Sequence, residues 1–222
     1  MRIDETEPRH ICAKLSSERM ARYLRESGGD HAQALALYSW NAFLSAALFE
    51  LLHYSEIFLR NSMQEQLARA ASNGPMVAPW YDQPWVQASE RAKIAEAKAR
   101  VAAAHQDVTE GRVVAELPFG FWCALLSRNY DGTLWRTLLY QAFPYSDRNR
   151  ATVVGAVERC RLLRNRIAHH EPVYGRNHQD DEATALAIIG WISPTAQAWV
   201  QSKSRISQAL AARPPLNVDL SN

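Results

Sequence analysis

Lysine is scarce in this chain. It occurs only at positions 14, 93, 98 and 203, so 21 of the 25 basic residues are arginine. Arginine forks onto carboxylate and phosphate oxygens in a way that a lysine ammonium does not. Cysteine is scarcer still. Cys12, Cys123 and Cys160 are an odd number without CxxC spacing, which excludes a disulfide framework and a thiolate metal site. Glycine (9) and proline (10) are few among 222 residues and fall at boundaries. No Gly-x-Gly-x-x-Gly, Gly-x4-Gly-Lys-Ser/Thr or Gly-x-Ser-x-Gly string occurs, so the usual nucleotide loops and the hydrolase elbow are out. The start, Met-Arg-Ile-Asp-Glu-Thr-Glu, lacks the apolar region of a secretory signal. The longest apolar stretch, about 42–52, is interrupted by Ser45 and Glu50 and reads as too short to span a bilayer. The expectation is a soluble, cytoplasmic protein with no membrane partner.

What is present is ordinary globular composition, 47% hydrophobic and 22% charged, with a net charge of +2 (25 − 23) that says little about partners. A domain of this size buries roughly 70% of its unfolded surface. The whole chain, 1–222, is expected to be one domain with a loose tail at 213–222. Helical spacing dominates. Ser16 is placed to cap a helix that Gly28 and Gly29 end. Asp30 is placed to cap a long helix reaching about residue 71, with Leu37, Trp40, Leu44, Leu48, Leu51, Leu52 and Leu59 at three–four spacing and a bend or break at Asn41. Ser72-Asn73-Gly74-Pro75 stops it, and 75–84 reads as a loop. A helix over 85–109 follows, ended by Gly111; then an aromatic segment to Phe143 holding two short helices around 130–132. A helix over 147–170 starts from Asp147 and stops near Pro172, and 174–179 is a polar loop. Ser193-Pro194 marks a cap within the last helical region. No alternating strand pattern and no repeat appears. The fold class is all-α, a bundle of about six to nine helices.

The 147–170 helix breaks its own pattern. At about 100° per residue, Val153, Val157, Cys160 and Ile167 share one face, and Arg164 projects into the middle of it. An arginine there must be paired, face a cavity or meet another subunit, because an unpaired buried charge is costly. His169 and His170 follow, five and six residues on. Five residues of regular helix set Arg164 and His169 about 140° apart, so they converge only if the helix ends at His169 or if two chains meet. Residues 148–176 hold seven arginines (148, 150, 159, 161, 164, 166, 176) against Glu158 and Glu171, a local balance of 7 − 2 = +5 that favours a polyanion; a solvated charged face is the alternative. Histidine exchanges protons near neutral pH, and arginine stabilises a developing phosphorane. RNA supplies its own 2′-hydroxyl nucleophile, so no metal or other cofactor is expected. His169, His170, Glu171 and His178 lack HExxH spacing. Cys160 reads as core packing, and the tryptophans and the 119–122 aromatics as core rather than a base-stacking platform. Asp180-Asp181-Glu182 reads as a helix N-terminus.

Arginine followed by histidine after four to six residues is not specific. About two chance matches are expected of such a short motif, and Arg25/His31 and Arg100/His105 also fit it. The longer string Leu163-Arg164-Asn165-Arg166-Ile167-Ala168-His169-His170-Glu171-Pro172 resembles the signature of the Abi-like (abortive infection) proteins of the HEPN superfamily. Glu56-Ile57-Phe58-Leu59-Arg60-Asn61 resembles that family's earlier Glu–Arg–Asn helix. Leu117-Pro118-Phe119-Gly120-Phe121-Trp122, with Leu134-Trp135 and Ala142-Phe143-Pro144, resembles its central aromatic segment, and Tyr38-Ser39-Trp40-Asn41 also fits. The likeness spans about residues 16–200.

The resemblance implies a HEPN-like helical domain that dimerises, lines a cleft with two Arg-x4-His motifs and cuts RNA without metal, as a toxin in bacterial phage defence. It implies Arg164 and His169 as the catalytic pair, with Asn165, His170, Glu171, Glu56 and Arg60 in support. Glu56 is expected to pair with Arg164 or Arg60, against the plainer reading of Glu56–Arg60 as an i,i+4 surface pair. Arg161, Arg166 and Arg176 are the expected RNA contacts. Partners would be an RNA substrate, a second copy of the chain and an antitoxin or regulator protein. The alternative from another class is a non-catalytic HEPN-like module that binds RNA or protein.

Overall fold

A computed structural model describes residues 6–74 and 78–216. The chain is all-α: ten α-helices and no strand occur among the described residues. The helices are α1 Thr6–Lys14, α2 Ser17–Glu26, α3 His31–Ser72, α4 Ala88–Ala103, α5 Glu110–Glu116, α6 Phe119–Leu125, α7 Arg150–Ala168, α8 His178–Ile192, α9 Pro194–Gln201 and α10 Ile206–Ala211. Residues 1–5, Pro75 and 217–222, on which some expectations fell, lie outside the described residues.

The capping residues do what local chemistry asks. The Ser16 side chain accepts the Arg19 N–H, and Asp30 Oδ1 accepts the N–H groups of Ala32 and Gln33 at 2.8 and 3.0 Å. Ser193 accepts the Ala196 N–H at 3.2 Å, with Pro194 in the first turn of α9. These satisfy N-terminal donors that a helix leaves open. Gly28 and Gly29, at φ +60° and +87°, make the reversal between α2 and α3.

Five expectations are corrected. Asn41 does not break α3, which runs 42 residues without interruption; its side chain serves elsewhere. The 85–109 helix is α4, which stops at Ala103, and Gly111 ends nothing: Thr109 accepts the Arg112 N–H and opens α5 around that glycine. The aromatic segment holds one α-helix, α6, then 3-10 turns at Arg128–Tyr130 and Leu139–Ala142 and a π turn at Asp131–Trp135. In the expected polar loop 174–179, Tyr174 and His178 are buried. α3 is also long and apolar enough, by length and composition, to cross a membrane, contrary to the reading of 42–52; 44% of its most apolar window is buried inside the protein.

The chain divides into two compact units. One comprises Met1–Glu50, Arg166–His178 and Ser204–Asn222. Its core is Met20, Tyr23, Leu37, Trp40, Leu44, Leu48, Val173 and Ile206. The Tyr23 ring meets Tyr38 edge-on at 5.2 Å and Tyr174 at 5.5 Å. Trp40 Nε1 donates to the Ala209 carbonyl at 2.7 Å, which ties α10 to α3. Residues 212–216 carry no helix, and Arg213 lies over the Trp40 ring.

The other unit comprises Leu51–Asn165 and Gln179–Lys203. Leu59, Met63, Leu67, Trp80, Phe121, Trp122, Leu125, Phe143, Val153, Val157, Ile188 and Ile189 form its core. Trp80 sits 5.8 Å from Trp122 and 6.1 Å from Phe121. Burial of each such side chain contributes about 1.5–3 kcal/mol. The 119–122 aromatics are therefore core, as expected.

Candidate functional site

α7 begins where Asn149 Oδ1 accepts the Ala151 N–H at 2.9 Å. It buries Val153, Val157, Cys160 and Leu163. Burial pushes the thiols of Cys123 and Cys160 up to about 12, so neither offers a thiolate at neutral pH.

α7 ends at Ala168, and the ending is specific. The His170 N–H donates to the Ile167 carbonyl and the Glu171 N–H to the Arg166 carbonyl, both at 2.9 Å. This nested pair is a Schellman closure, in which His169 is the last half-helical residue. His170 occupies the left-handed position, at φ +56°, that glycine usually fills. Its carbonyl accepts from Arg19 Nη1 at 2.9 Å. The closure ends the helical backbone at Ala168, and His169 stands exposed just after it. Pro172 contributes by barring helical backbone at Glu171.

The arginines of 148–176 differ sharply in occupation. Arg150 pairs with Asp131 at 3.2 Å and donates to the Leu126 carbonyl at 3.0 Å. Arg159 pairs with Asp180 at 2.7 Å. Arg161 grips Glu158 with both arms of its fork, and that bond lowers the Glu158 carboxyl below its usual range. Arg166 pairs with Glu171 at 3.3 Å and donates to the Pro172 carbonyl at 3.1 Å. Arg148 lies over the Tyr140 ring. Arg176 donates its backbone N–H to the Val173 carbonyl and is half-buried. Asp131, Asp180 and Asp181, the last 3.7 Å from Arg159, thus offset much of the +5 balance counted along 148–176. Of the three expected RNA contacts, Arg161 and Arg166 already hold carboxylates.

Arg164 is different. Its Nε is buried and has no hydrogen-bond partner, and its guanidinium forms no ion pair within 4 Å among the described residues. A buried donor left open costs about 1–3 kcal/mol. Within the same unit, Glu56 on α3 is half-buried. Burial pushes its carboxyl above the ordinary range, while the positive charges of Arg164, then Arg60, then His53 pull it back. The carboxylate therefore feels Arg164 most, without bonding to it. Glu56 does not pair with Arg60 either: Arg60 Nε reaches Asn61 Oδ1 at 3.4 Å. Neither the expected buried pair nor the i,i+4 surface pair is formed. Asn165 is half-buried beside Arg164 in sequence, and Glu171 is exposed and engaged with Arg166.

Asn41 is the polar residue whose role the spacing did not reveal. It is 6% exposed, and its Oδ1 accepts the Val173 N–H at 2.8 Å, fixing the strand of chain that follows α7. The signal was there: an amide at a core position of an apolar helix face, between Leu37, Trp40 and Leu44.

Comparison with family models, with curated proteins and with solved structures finds no match to this chain.

Proposed function

We propose that this protein is a metal-independent endoribonuclease of the HEPN type, working as a cytoplasmic homodimer and serving as a toxin in bacterial phage defence, held in check by an antitoxin or regulator protein. The single observation that supports this most is the orphaned Nε of Arg164. Every neighbouring arginine of known contact on α7 is paired, and this one, half-buried, is kept open at a cost. An oxyanion is the natural acceptor for such a donor. His169, exposed at the closure of the same helix, is the proton carrier.

In the proposed step, the RNA 2′-hydroxyl attacks the adjacent phosphorus. One copy of His169 takes the hydroxyl proton as the O2′–P bond forms. The P–O5′ bond breaks, and the second copy of His169 gives a proton to the leaving oxygen. Arg164 stabilises the charge on the non-bridging oxygens. The products are a 2′,3′-cyclic phosphate and a 5′-hydroxyl. Leu162, 53% exposed two residues before Arg164, offers an apolar anchor for a second copy.

The test is cleavage of total RNA in EDTA by wild type, Arg164→Ala and His169→Ala, with end-group analysis of the products. Loss of about 10²-fold or more is expected for each variant. Cleavage that survives in His169→Ala, or that requires added metal, refutes the reading.

A further inference from the structure

The unit that holds His169 contains a groove of about 380 Å³ walled by Tyr38, Asn41, Ser45 and Phe49 of α3 and by Ile167 and His170 at the end of α7. We infer that this groove binds a nucleobase of single-stranded RNA next to the scissile phosphodiester, with the Asn41 side-chain amide as the donor that reads it. The inference rests on the ribonuclease reading.

Three observations carry it. First, the groove is of small-ligand size and mixed chemistry. Sites of about 300–1,000 Å³ with apolar walls and a few fixed polar groups are what planar ligands occupy. Phe49, 43% exposed, offers its ring to a base face, as aromatic side chains do in single-strand binding.

Second, the Asn41 amide is oriented by chemistry. Val173 N–H is a donor, so the atom it meets at 2.8 Å must be Oδ1. Nδ2 therefore points away from Val173 and has no partner among the described residues. Asn41 is more than nine-tenths buried, and the groove is the surface it lines. With Oδ1 already taken by Val173, the amide can donate to a base carbonyl of uracil, cytosine or guanine but cannot complete the two-bond contact that an amide makes with adenine N6 and N7, which disfavours adenine.

Third, the groove wall and the proton carrier are one piece of chain. Ile167 and Ala168 line it, His169 follows, and His170 lines it again, held at φ +56° by the helix closure and by Arg19. A base seated here places its own backbone beside His169.

The experiment uses the full chain carrying His169→Ala, so that RNA is bound and not cut. Fluorescence anisotropy in EDTA reads the Kd of short oligouridine, oligocytidine and oligoadenosine. Oligouridine and oligocytidine are expected to bind about threefold to tenfold tighter than oligoadenosine, the worth of one hydrogen bond. Asn41→Asp keeps the acceptor for Val173 and removes the donor, and should erase that preference. Ala46→Trp fills the groove from an exposed position, where folding is little affected, and should weaken all three. Equal binding of the three oligomers, unchanged in both variants, overturns the groove while leaving the ribonuclease reading intact. Absence of RNA binding to any oligomer overturns both. A change in sedimentation of Ala46→Trp without a change in base preference shows the groove to be covered by a second copy of the chain, and overturns the inference as well.

Discussion

Replacing His170 with glycine should make the protein more stable, although it removes a side chain. His170 is the left-handed residue of the Schellman closure of α7, at φ +56°. An L-residue held there costs about 1–2 kcal/mol, somewhat less for histidine, which visits the region more readily than most. Glycine relieves that strain but loses about 0.5–1 kcal/mol through the greater freedom of the unfolded chain. The His170 side chain is exposed, and the Arg19 bond is to its carbonyl, so both survive or matter little. The net expectation for His170→Gly is a gain of about 0.5–1 kcal/mol, or roughly 1–4 °C in Tm for a chain of this length. His170→Ala is the control that separates backbone from side chain: it keeps the strain and lacks the imidazole. Urea denaturation should order the three as glycine above wild type, with alanine at or below wild type. A glycine variant no more stable than the alanine variant refutes the strain argument. A glycine variant that is more stable yet binds RNA less well shows what the histidine is kept for.

Two further perturbations test the other unit. Glu56→Gln should stabilise the fold at pH 7 relative to wild type. Burial raises the Glu56 carboxyl in the folded protein, so its contribution is fully present below the ordinary carboxylate value of 4.5 and is lost as pH rises through the raised folded value. The advantage of the glutamine variant should therefore grow between pH 4 and pH 7 in denaturation curves, and an advantage that shrinks over that range would mean that attraction to Arg164 outweighs burial. Tyr130→Phe should cost about 1–3 kcal/mol in the same assay. The hydroxyl accepts the Gln87 N–H at 2.9 Å and donates to buried Glu90 at 2.8 Å, where Ser89 Oγ remains as the carboxylate's other donor; a loss below about 0.5 kcal/mol would show that Ser89 and water take its place.

The contrast between Ser16 and His170 shows where sequence reading stops. Ser16, Asp30 and Ser193 are legible because a cap is settled within three residues by the side chain's own reach. The all-α class follows from the same short range, since three–four spacing is a property of each helix separately. The closure at His170 is equally local, but it runs against residue preference, so a rule that looks for glycine passes over it. Thr109 and Gly111 fail for a related reason: a hydroxyl that starts a helix overrides a glycine that would end one.

The charged residues lie beyond any such rule. Counting along 148–176 gives an excess of five positive charges, yet Asp131 reaches Arg150 and Asp180 reaches Arg159 from 19 and 21 residues away. Folding spends that excess on internal pairs, so a basic stretch of sequence is not a basic surface. What folding cannot hide is the member left out. Arg164 keeps a buried donor open while Glu56, a carboxylate that senses its charge, stays out of bonding reach. Had stability alone shaped this helix, closing that gap or replacing the arginine with an apolar residue would each gain about 1–3 kcal/mol. Trp80 and Trp122 in the same unit also keep a buried N–H without a partner, so an open donor does not by itself mark a ligand site; what sets Arg164 apart is that the open group is charged and that the carboxylate nearest to it in effect, Glu56, forms no ion pair with it.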